Sequence, residues 1–341
     1  MIVLLFLFII ICCWRFRVEG FHDDFFSKQY TTPIKGIFTI LILYSHIRGY
    51  LTLTDSWADV SFNTVLDHLG QLIVAVFFFY SGFGIWESFK RKPDYVNSFF
   101  KKRFLKTLLH FDIAVVIFIL VQLLVPITYT TKQYLLCWIG WESVGNSNWF
   151  IFVILALYFI ALISMRLQKS IGRGGMLSIG LLTAALWIWL RILMDQPSWW
   201  VDTMAAFPLG VAVSHYKDSI MSLLGKRGVP YIVLGAAIVL FSSAYMRFGI
   251  DIYGGVTCLF CCVIVLASSV VKIGNPVLNW LGKNAFTVYI IQRLPMILFS
   301  AVGLNTKTWL FVLLVIPTTV TLAEVLSRIN KKVDSLLFAN A

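Results

Sequence analysis

Two ionisable residues lie inside the apolar stretch 33–53 and could perform acid–base or anion-binding chemistry there. Lys35 is near the start of the stretch, and His46 follows 11 residues later. At about 100° per residue, this spacing makes close to three helical turns, so both side chains project from one face, roughly 16 Å apart. An isolated ionisable group is costly in lipid and usually faces a protein-lined or water-filled cavity. The spacing therefore predicts a transmembrane helix that lines an interior passage with a titratable base inside it.

Each of these residues also has a plain structural explanation. The Lys35 side chain could extend to the membrane interface, because it lies in the first turn after Pro33. His46 could be a buried histidine whose ring is hydrogen-bonded by Tyr44 or Ser45 beside it. The residue types alone leave both explanations open.

The composition is that of a polytopic membrane protein. Of the 341 residues, 59% are hydrophobic and only 13% are charged, whereas soluble domains average about 25% charged residues. The 29 Phe and 12 Trp residues fit helix packing and interfacial belts in a bilayer. The net charge of +12 does not indicate nucleic-acid binding, because the basic residues follow membrane topology. Most of the six cysteines lie in apolar runs without companion His or acidic residues, so we expect no metal site.

The apolar runs predict an all-α membrane bundle of about ten core transmembrane helices, preceded by a short N-terminal hydrophobic segment. The predicted core spans are 34–53, 68–86, 105–127, 148–165, 176–194, 200–215, 229–246, 253–271, 283–302 and 308–327. The first 14 residues are apolar but short for a span, which normally needs about 20. We divide the chain into an N-terminal segment and loop at 1–32, a transmembrane domain at 33–328 and a tail at 329–341.

The basic residues predict the orientation of the protein in the cell membrane. Cytoplasmic loops of multi-pass proteins carry an excess of Lys and Arg. Here one set of alternate connections, together with the tail, holds 21 of the 28 basic residues, and the opposite set holds five. We expect the basic side to be the cytoplasm, with the C-terminus inside, Lys35 at the inner end of its helix and His46 in the outer half.

The connection 90–106 is more basic than topology requires. It has seven basic residues against one Asp, whereas the other connections on the same side have two or three. Anionic lipid headgroups could bind these residues, at about 1 kcal/mol each near the surface. Phosphates of a nucleotide-containing donor could also bind them, through charge-assisted hydrogen bonds. The basic residues are Lys90, Arg91, Lys92, Lys101, Lys102, Arg103 and Lys106.

Several motifs follow one another along the chain in a recognisable order. They are Lys35 with His46, FFFYSGF at 77–83, SFFKKRFLKTLL at 98–109, Trp149–Phe150, FPLG at 207–210 and LGKNAFTVYIIQ at 281–292. Each is weak alone, and Ser81 with Gly82 also suits close helix packing. In this order they resemble acyltransferase family 3, a family of integral-membrane O-acyltransferases, over nearly the whole chain from Lys35 to Gln292.

The resemblance implies roles for individual residues. His46 would be the general base, and Lys35 would bind an anionic part of the acyl donor or polarise its end of the passage. Gln292 stands where the closing motif often has His, and a glutamine cannot exchange a proton near neutral pH, so His46 is left as the base. Donor-binding residues would be Arg103, Lys102, Lys106, Arg91, Lys90 and Ser81. Acceptor-side residues would be Trp149, Asn148, Glu142, Tyr289 and Gln292.

Two further ion pairs are predicted from position alone. Arg191 and Asp195 are four residues apart in the chain and can pair with each other. Arg293 and Glu324 lie in neighbouring predicted spans, and we interpret them as a structural pair.

The resemblance implies a membrane O-acetyltransferase. Its donor would be acetyl-coenzyme A, a co-substrate entering from the cytoplasm, and its acceptor a hydroxyl of a surface polysaccharide or lipid-linked sugar. A histidine of ordinary pKa near 6.5 suits removal of the hydroxyl proton. Membrane lipids are the other expected partner, and association into a homo-oligomer is left open. The alternative is a transporter or flippase for an anionic or lipid-linked substrate, which would use the same passage without making bonds.

Overall fold

The need to satisfy backbone hydrogen bonds inside a bilayer favours helices, and helices account for 77% of the protein. The computed structural model describes residues 1–249 and 252–338. Its α-helices are α1 (Ile2–Cys13), α2 (Lys28–Arg48), α3 (Trp57–Leu69), α4 (Leu72–Arg91), α5 (Tyr95–Phe99), α6 (Lys106–Val121), α7 (Thr131–Leu136), α8 (Trp149–Ile171), α9 (Gly175–Ile188), α10 (Ala206–His215), α11 (Lys217–Leu224), α12 (Val229–Phe248), α13 (Tyr253–Ser268), α14 (Pro276–Lys283), α15 (Ala285–Ile291), α16 (Arg293–Ala301) and α17 (Thr308–Leu337). Short π-helical segments, Phe100–Leu105 and Trp189–Leu193, join α5 to α6 and extend α9.

Six helical stretches of the described residues are long and apolar enough to cross a membrane, so the predicted number of about ten is not confirmed. They are Trp57–Arg91, Tyr95–Val121, Trp149–Ile171, Gly175–Leu193, Val229–Phe248 and Thr308–Leu337. Four shorter stretches are also apolar: Ile2–Cys13, Ala206–His215, Tyr253–Ser268 and Ala285–Ala301. Part of the difference arises because predicted spans fold as short or broken helices, such as α10 and α15–α16. In addition, α2, which stands in place of the predicted span 34–53, is not among the six although it has 21 residues, because polar and charged residues interrupt its apolar run.

The helix that carries Lys35 and His46 lies earlier in the chain than predicted. α2 runs from Lys28 to Arg48, where the sequence predicted 34–53. Pro33 therefore lies inside the helix, in its second turn, where its missing N–H removes one backbone hydrogen bond. Lys35 and His46 still share one continuous helix.

The predicted span 283–302 is broken at Gln292. α15 ends at Ile291, and α16 begins at Arg293. Pro295 explains the break, because it lacks an N–H and its ring crowds the carbonyl four residues earlier, that of Ile291. The kink places Gln292 and Arg293 at a bend in the interior of the bundle.

Two pairs of helices cross so closely that only glycine fits at the contact. A Cβ on Gly36 of α2 would overlap the carbonyl oxygen of Leu278 in α14, and a Cβ on Gly282 of α14 would overlap that of Thr32 in α2. Small residues permit such backbone contact between membrane helices, where packing rather than the hydrophobic effect holds helices together. The α2–α14 crossing fixes α2 against the segment that leads into α15.

The second crossing joins α4 to α10. A Cβ on Gly82 would overlap the carbonyl oxygen of Phe207, and a Cβ on Gly210 would overlap that of Phe79. The small residues of two motifs noted in the sequence, SGF and FPLG, thus serve one helix contact.

The two ends of the chain are tied to the bundle. Strand β1 (Arg17–Val18) pairs antiparallel with β2 (Val271–Lys272), a small addition to the predicted all-α fold. At the other end, α17 continues as far as Leu337, so most of the predicted tail 329–341 is helical, and residues 339–341 lie outside the described part. Asp334 of α17 pairs with Lys106 at 2.6 Å and with His110 at 2.9 Å, which joins α17 to α6.

Candidate active site

A cavity of about 930 Å³ opens into the bundle between α2, α4, α8 and α15. This large cavity is near the upper end of the usual size of small-molecule sites, about 300–1,000 Å³. The glycine crossings set its walls, because Lys35, Ser81 and Lys283 are chain neighbours of Gly36, Gly82 and Gly282 and line it.

One face of α2 forms a continuous wall of the large cavity. Lys28, Thr31, Lys35, Thr39 and Ile42 all line it, and their spacing of three or four residues is that of a single helix face. From Lys28 to Ile42 this wall extends roughly 21 Å along the helix axis. The interior passage that the spacing of Lys35 and His46 predicts therefore has a counterpart in the structure.

His46 is the next residue on this face, one turn beyond the end of the large cavity. It does not line the cavity itself, but two of its neighbours, Tyr289 and Gln292, do. Gln292 is fully buried, and its Nε2 lies 2.7 Å from His46 Nδ1. The ring centroids of His46 and Tyr289 are 6.2 Å apart. Gln292 thus connects the end of the cavity to the histidine.

The hydroxyl groups next to His46 in the sequence are not its hydrogen-bond partners in the structure. The ring contacts the amide of Gln292, 246 positions away in the chain, rather than Tyr44 or Ser45 beside it. Gln292 Oε1 is buried without a partner among the described residues. The site therefore contains one amide oxygen that is free to accept a hydrogen bond.

Positive charge gathers at the opposite end of the large cavity. We call the five basic residues there the basic mouth: Lys28, Arg91, Arg103, Lys217 and Lys283. Together with Lys35 they make six cationic lining residues against three acidic ones, Asp23, Asp24 and Glu87. Among the described residues, Lys28, Lys35, Arg103 and Lys283 have no carboxylate within 4.0 Å. An unpaired cluster of this kind is suited to an anionic ligand.

Glu87 neutralises part of this charge. Its carboxylate lies 2.6 Å from Lys90 Nζ, 3.0 Å from an Arg91 guanidinium nitrogen and 4.0 Å from Lys217 Nζ. The Lys90 ammonium also donates to the carbonyl of Ser214 and does not line the large cavity. Lys90 therefore joins α4 to α10 rather than facing the cavity.

A second cavity, of about 710 Å³, adjoins the basic mouth. Arg91 and Arg103 line both cavities. Lys102 and Lys106 line the second cavity rather than the large one, and Lys106 is paired with Asp334. Of the predicted donor-binding residues, Arg103, Arg91 and Ser81 share the large cavity, and Lys102 and Lys106 do not.

The predicted acceptor-side residues separate into two groups. Tyr289 and Gln292 lie beside His46 at the end of the large cavity. Asn148 Nδ2 donates to the carbonyl oxygens of Gly140 and Trp141, and Glu142 pairs with Lys132 at 2.7 Å. These last contacts hold the loop before α8 in shape.

Trp149 begins α8 and is half-buried against its neighbour Phe150. Phe150 lines the large cavity, and its ring centroid is 5.4 Å from that of Tyr289. The Trp149–Phe150 motif therefore reaches the cavity through its second residue.

Arg293 is close to His46 but on a different side. Its Nε lies 3.2 Å from the Tyr50 hydroxyl, and its Nη1 lies 3.5 Å from the carbonyl oxygen of Asn146. The predicted pair with Glu324 is wrong, because Glu324 instead contacts Arg328 and Trp280. The kink at Gln292 turns the Arg293 side chain towards Tyr50 and away from α17.

The other predicted ion pair is present. Arg191 lies 3.6 Å from Asp195, four residues further along the chain. Both side chains are exposed, so this ion pair contributes little to stability. Neither residue lines the large cavity.

Three residues of the basic mouth were not found from the sequence. Lys28, Lys217 and Lys283 come from α2, α11 and α14, and only the folded chain brings them together. The signal for Lys28 was present, since it shares the helix face of Lys35 at a spacing of seven. Among the described residues no group of His, Cys, Asp or Glu is arranged to hold a metal ion.

The apolar helices belong to a multi-pass membrane protein, and they enclose a cavity with a cationic mouth at one end and a histidine–amide pair beside the other. The family model of the acyltransferase domain, Acyl_transf_3, matches residues 34–328 of the 341. The chain belongs to this acyltransferase family, and it is a membrane acyltransferase. Comparisons with curated proteins and with solved structures gave no match.

Proposed function

We propose that this acyltransferase is an O-acetyltransferase that moves an acetyl group from cytoplasmic acetyl-coenzyme A to a sugar hydroxyl. The acceptor is a cell-surface polysaccharide or a lipid-linked sugar, and His46 is the general base. The observation that carries the proposal is the large cavity, which extends from the basic mouth to Gln292, the hydrogen-bond partner of His46.

The charge distribution supports a donor that carries phosphates. Coenzyme A has its phosphates at one end and its thioester at the other, connected by a long, thin arm. The large cavity has the matching order, with unpaired cations at the mouth and mainly uncharged residues near Tyr289. The excess of Lys and Arg on the mouth side of the sequence supports a cytoplasmic mouth.

Lys35 lies between the two ends of the cavity. It is half-buried, roughly 16 Å from His46 along α2, and without a carboxylate partner among the described residues. We propose that the Lys35 ammonium binds the anionic group of coenzyme A that is nearest its long, thin arm. This contact places the thioester further along the cavity, towards Gln292.

The chemical step is a base-assisted attack. The hydroxyl oxygen of the acceptor attacks the carbonyl carbon of the thioester while His46 Nε2 takes the hydroxyl proton. The C–S bond then breaks, and the departing thiolate of coenzyme A receives that proton from His46. General base catalysis of this type contributes about 10²–10⁴-fold to the rate.

Gln292 determines which ring nitrogen of His46 is free for this step. When the amide Nε2 donates to Nδ1, the neutral ring carries its hydrogen on Nε2 and cannot accept a proton there. A half-turn of the amide presents Oε1 instead, so that Nδ1–H donates and Nε2 is free. The base works in the second arrangement, which also gives the unpartnered Oε1 its hydrogen bond. The same arrangement stabilises the ring after proton uptake, when both nitrogens carry hydrogen.

The proposal is tested by the variant His46→Ala. Membranes containing the full chain are supplied with acetyl-coenzyme A labelled in the acetyl group and with extracted surface glycan, and alkali-labile acetate on the glycan is measured. We expect a loss of at least about 10²-fold, the contribution of the base. The matched control is His68→Ala, because His68 is an exposed histidine on α3, and we expect it to keep full activity.

Two outcomes would contradict the proposal. One is normal acetylation by His46→Ala present in the membrane at the wild-type amount. The other is uptake of a lipid-linked or anionic sugar into vesicles by the purified wild-type protein without turnover of acetyl-coenzyme A, which would identify a transporter.

A further inference from the structure

Arg293 is a partly buried cation whose contacts are all uncharged. Its guanidinium contacts the Tyr50 hydroxyl and the carbonyl of Asn146, and no carboxylate of the described residues lies within 4.0 Å. An arginine inside a membrane protein normally pairs with an acidic group or with a bound anion. These hydrogen bonds leave some of the guanidinium N–H groups without a partner in the described part of the chain and give none of them a charged one.

The position of Arg293 relative to His46 is fixed by α2. This helix starts at the basic mouth with Lys28, passes the end of the large cavity at Ile42 and reaches His46. Tyr50 follows four residues later, just after the helix ends. Because Arg293 contacts Tyr50, it lies on the side of His46 that faces away from the basic mouth.

The loop whose backbone contacts Arg293 contains two more hydrogen-bonding groups without a partner among the described residues. Asn146 and Ser147 are buried, with 0% and 4% of their surface exposed. Asn146 Nδ2 and Ser147 Oγ are both unpartnered among the described residues. Leaving a buried polar group without a hydrogen bond is unfavourable, and a ligand that supplies acceptor oxygens would satisfy both groups.

The loop itself is held in place by its own contacts. The other amide atom of Asn146, Oδ1, accepts from the backbone N–H of Val144 at 3.0 Å, and Ser143 Oγ donates to the carbonyl oxygen of Asn146 at 2.7 Å. These bonds fix the direction of the unpartnered Asn146 amide nitrogen. The arrangement is therefore formed before any ligand binds.

Contacts along the chain also place Arg293 close to His46. Gln292, the hydrogen-bond partner of His46, directly precedes Arg293, and Tyr50, which Arg293 contacts, lies about one helical turn after His46. An anion bound at Arg293 would therefore lie next to the His46–Gln292 pair.

We propose that Arg293, with Asn146 and Ser147, binds an anionic group of the acceptor, a carboxylate or a phosphate, while the neighbouring hydroxyl lies at His46. This inference rests on the proposed function and adds the substrate class: the acceptor is an acidic sugar or a sugar phosphate. A guanidinium fork and two neutral donors match the oxygens of either anion. Donor and acceptor then reach the base from opposite sides.

The test is direct binding to the purified full chain, saturated with coenzyme A so that the basic mouth is occupied. Glucose, glucuronic acid and glucose 1-phosphate are titrated separately, and their dissociation constants are compared. We expect one or both acids to bind about 10-fold or more tightly than glucose, the effect of a charge-assisted contact. Preference for glucuronic acid alone identifies a uronic-acid acceptor, and preference for glucose 1-phosphate alone identifies a phosphorylated one.

Variants assign the preference to Arg293. Arg293→Gln should lose it, Arg293→Lys should keep part of it, and both should bind coenzyme A as the wild type does. The matched control is Lys132→Gln, since Lys132 is an exposed cation beside the same loop that pairs with Glu142. We expect this control to keep the full preference.

Equal binding of all three sugars by the wild type would overturn the inference, as would an unchanged preference in Arg293→Gln. Its failure is distinct from failure of the proposed function. A protein that acetylates neutral and acidic acceptors equally well keeps its proposed function and loses this inference. A protein that binds the acidic sugars through Arg293 but does not turn over acetyl-coenzyme A keeps the Arg293 anion site and loses its proposed function.

Discussion

Gln292 and His46 are separated by 246 positions in the chain, yet Gln292 Nε2 lies 2.7 Å from His46 Nδ1. The contact is possible because Pro295 bends the chain after α15 and because α14 crosses α2 at Gly36. An amide differs from a carboxylate or an imidazole in that it can donate or accept at the same place. In the proposed mechanism, Gln292 therefore acts on the reaction through the histidine.

The first prediction concerns this amide. Gln292→Leu, which can neither donate nor accept, should lower kcat by about 10-fold or more, because a hydrogen bond to a charged group is worth roughly 1.5–3 kcal/mol. Gln292→Glu, which can accept from Nδ1–H, should retain most of the activity. The KM for acetyl-coenzyme A should change little in either variant. The measurement is steady-state acetyl transfer to glycan.

A purely structural role of Gln292 would give a different pattern. Leu and Glu would then be equally harmful, or the apolar replacement would be the better tolerated of the two in this buried position. Either result would remove Gln292 from the mechanism.

The second prediction concerns the basic mouth. Arg103→Gln and Lys28→Gln should each raise the KM for acetyl-coenzyme A by about 10-fold, because each removes a charge-assisted contact to phosphate. The same variants should use S-acetyl-pantetheine, which has no nucleotide, as well as the wild type does. Lys101→Gln is the control, since Lys101 is exposed in the same π-helical segment and lines neither cavity.

Equal losses with both donors would show that Arg103 and Lys28 support the fold rather than bind phosphates. An equally large rise of the KM for acetyl-coenzyme A in Lys101→Gln would indicate a general effect of surface charge on donor binding.

The third prediction concerns the α2–α14 crossing. Gly36→Ala and Gly282→Ala introduce a methyl group against a backbone carbonyl, and overpacking of this kind costs about 1–3 kcal/mol or more. We expect both variants to unfold at lower temperature in detergent and to lose activity together with that stability. Gly180→Ala and Gly235→Ala are the controls, because nothing lies within 4 Å of a Cβ at either position.

The controls have a definite expected direction. Alanine is the better helix former by about 1 kcal/mol, so Gly180→Ala and Gly235→Ala should be neutral or slightly stabilising. Tolerance of alanine at Gly36 and Gly282 would mean that α2 and α14 are further apart than described.

The fourth prediction concerns orientation. Alkaline phosphatase, which is active only outside the cytoplasm, should be inactive when fused after the C-terminus and active when inserted at Thr130. Thr130 caps α7 in an exposed loop of the side opposite the basic mouth, as the count of Lys and Arg predicts. Activity in the C-terminal fusion would reverse the predicted topology and move the basic mouth to the outside.

The sequence predicted the parts of the fold and site that depend on local spacing. Lys35 and His46 share α2 because they are close in the chain, and the helical wall of the large cavity follows from the same periodicity. The apolar runs correctly predicted a mainly helical protein, but only six stretches of the described residues are long and apolar enough to span a membrane, and α10 and α13 are shorter than predicted. The helical break at Gln292 could have been anticipated from Pro295 and was not.

Contacts between distant parts of the chain could not be read in this way. Lys217 and Lys283 join the basic mouth only because α11 and α14 fold beside α2 and α4. Arg293 was paired with Glu324 on proximity of predicted spans, but the direction of a side chain after a kink is set by tertiary packing. Lys90 was assigned to the donor with its neighbours, yet Glu87 one turn away determines its direction.

The antiparallel pairing of Arg17–Val18 with Val271–Lys272 has a consequence for how the enzyme is bounded. It holds the leading residues so that Asp23, Asp24 and Phe26 form part of the opening, although residues 1–33 precede the matched acyltransferase domain. A protein shortened to that domain would keep His46, Gln292 and Arg293 but would lose part of the lining at the opening of the large cavity. The opening of the large cavity is thus shaped in part by residues that precede the matched family domain.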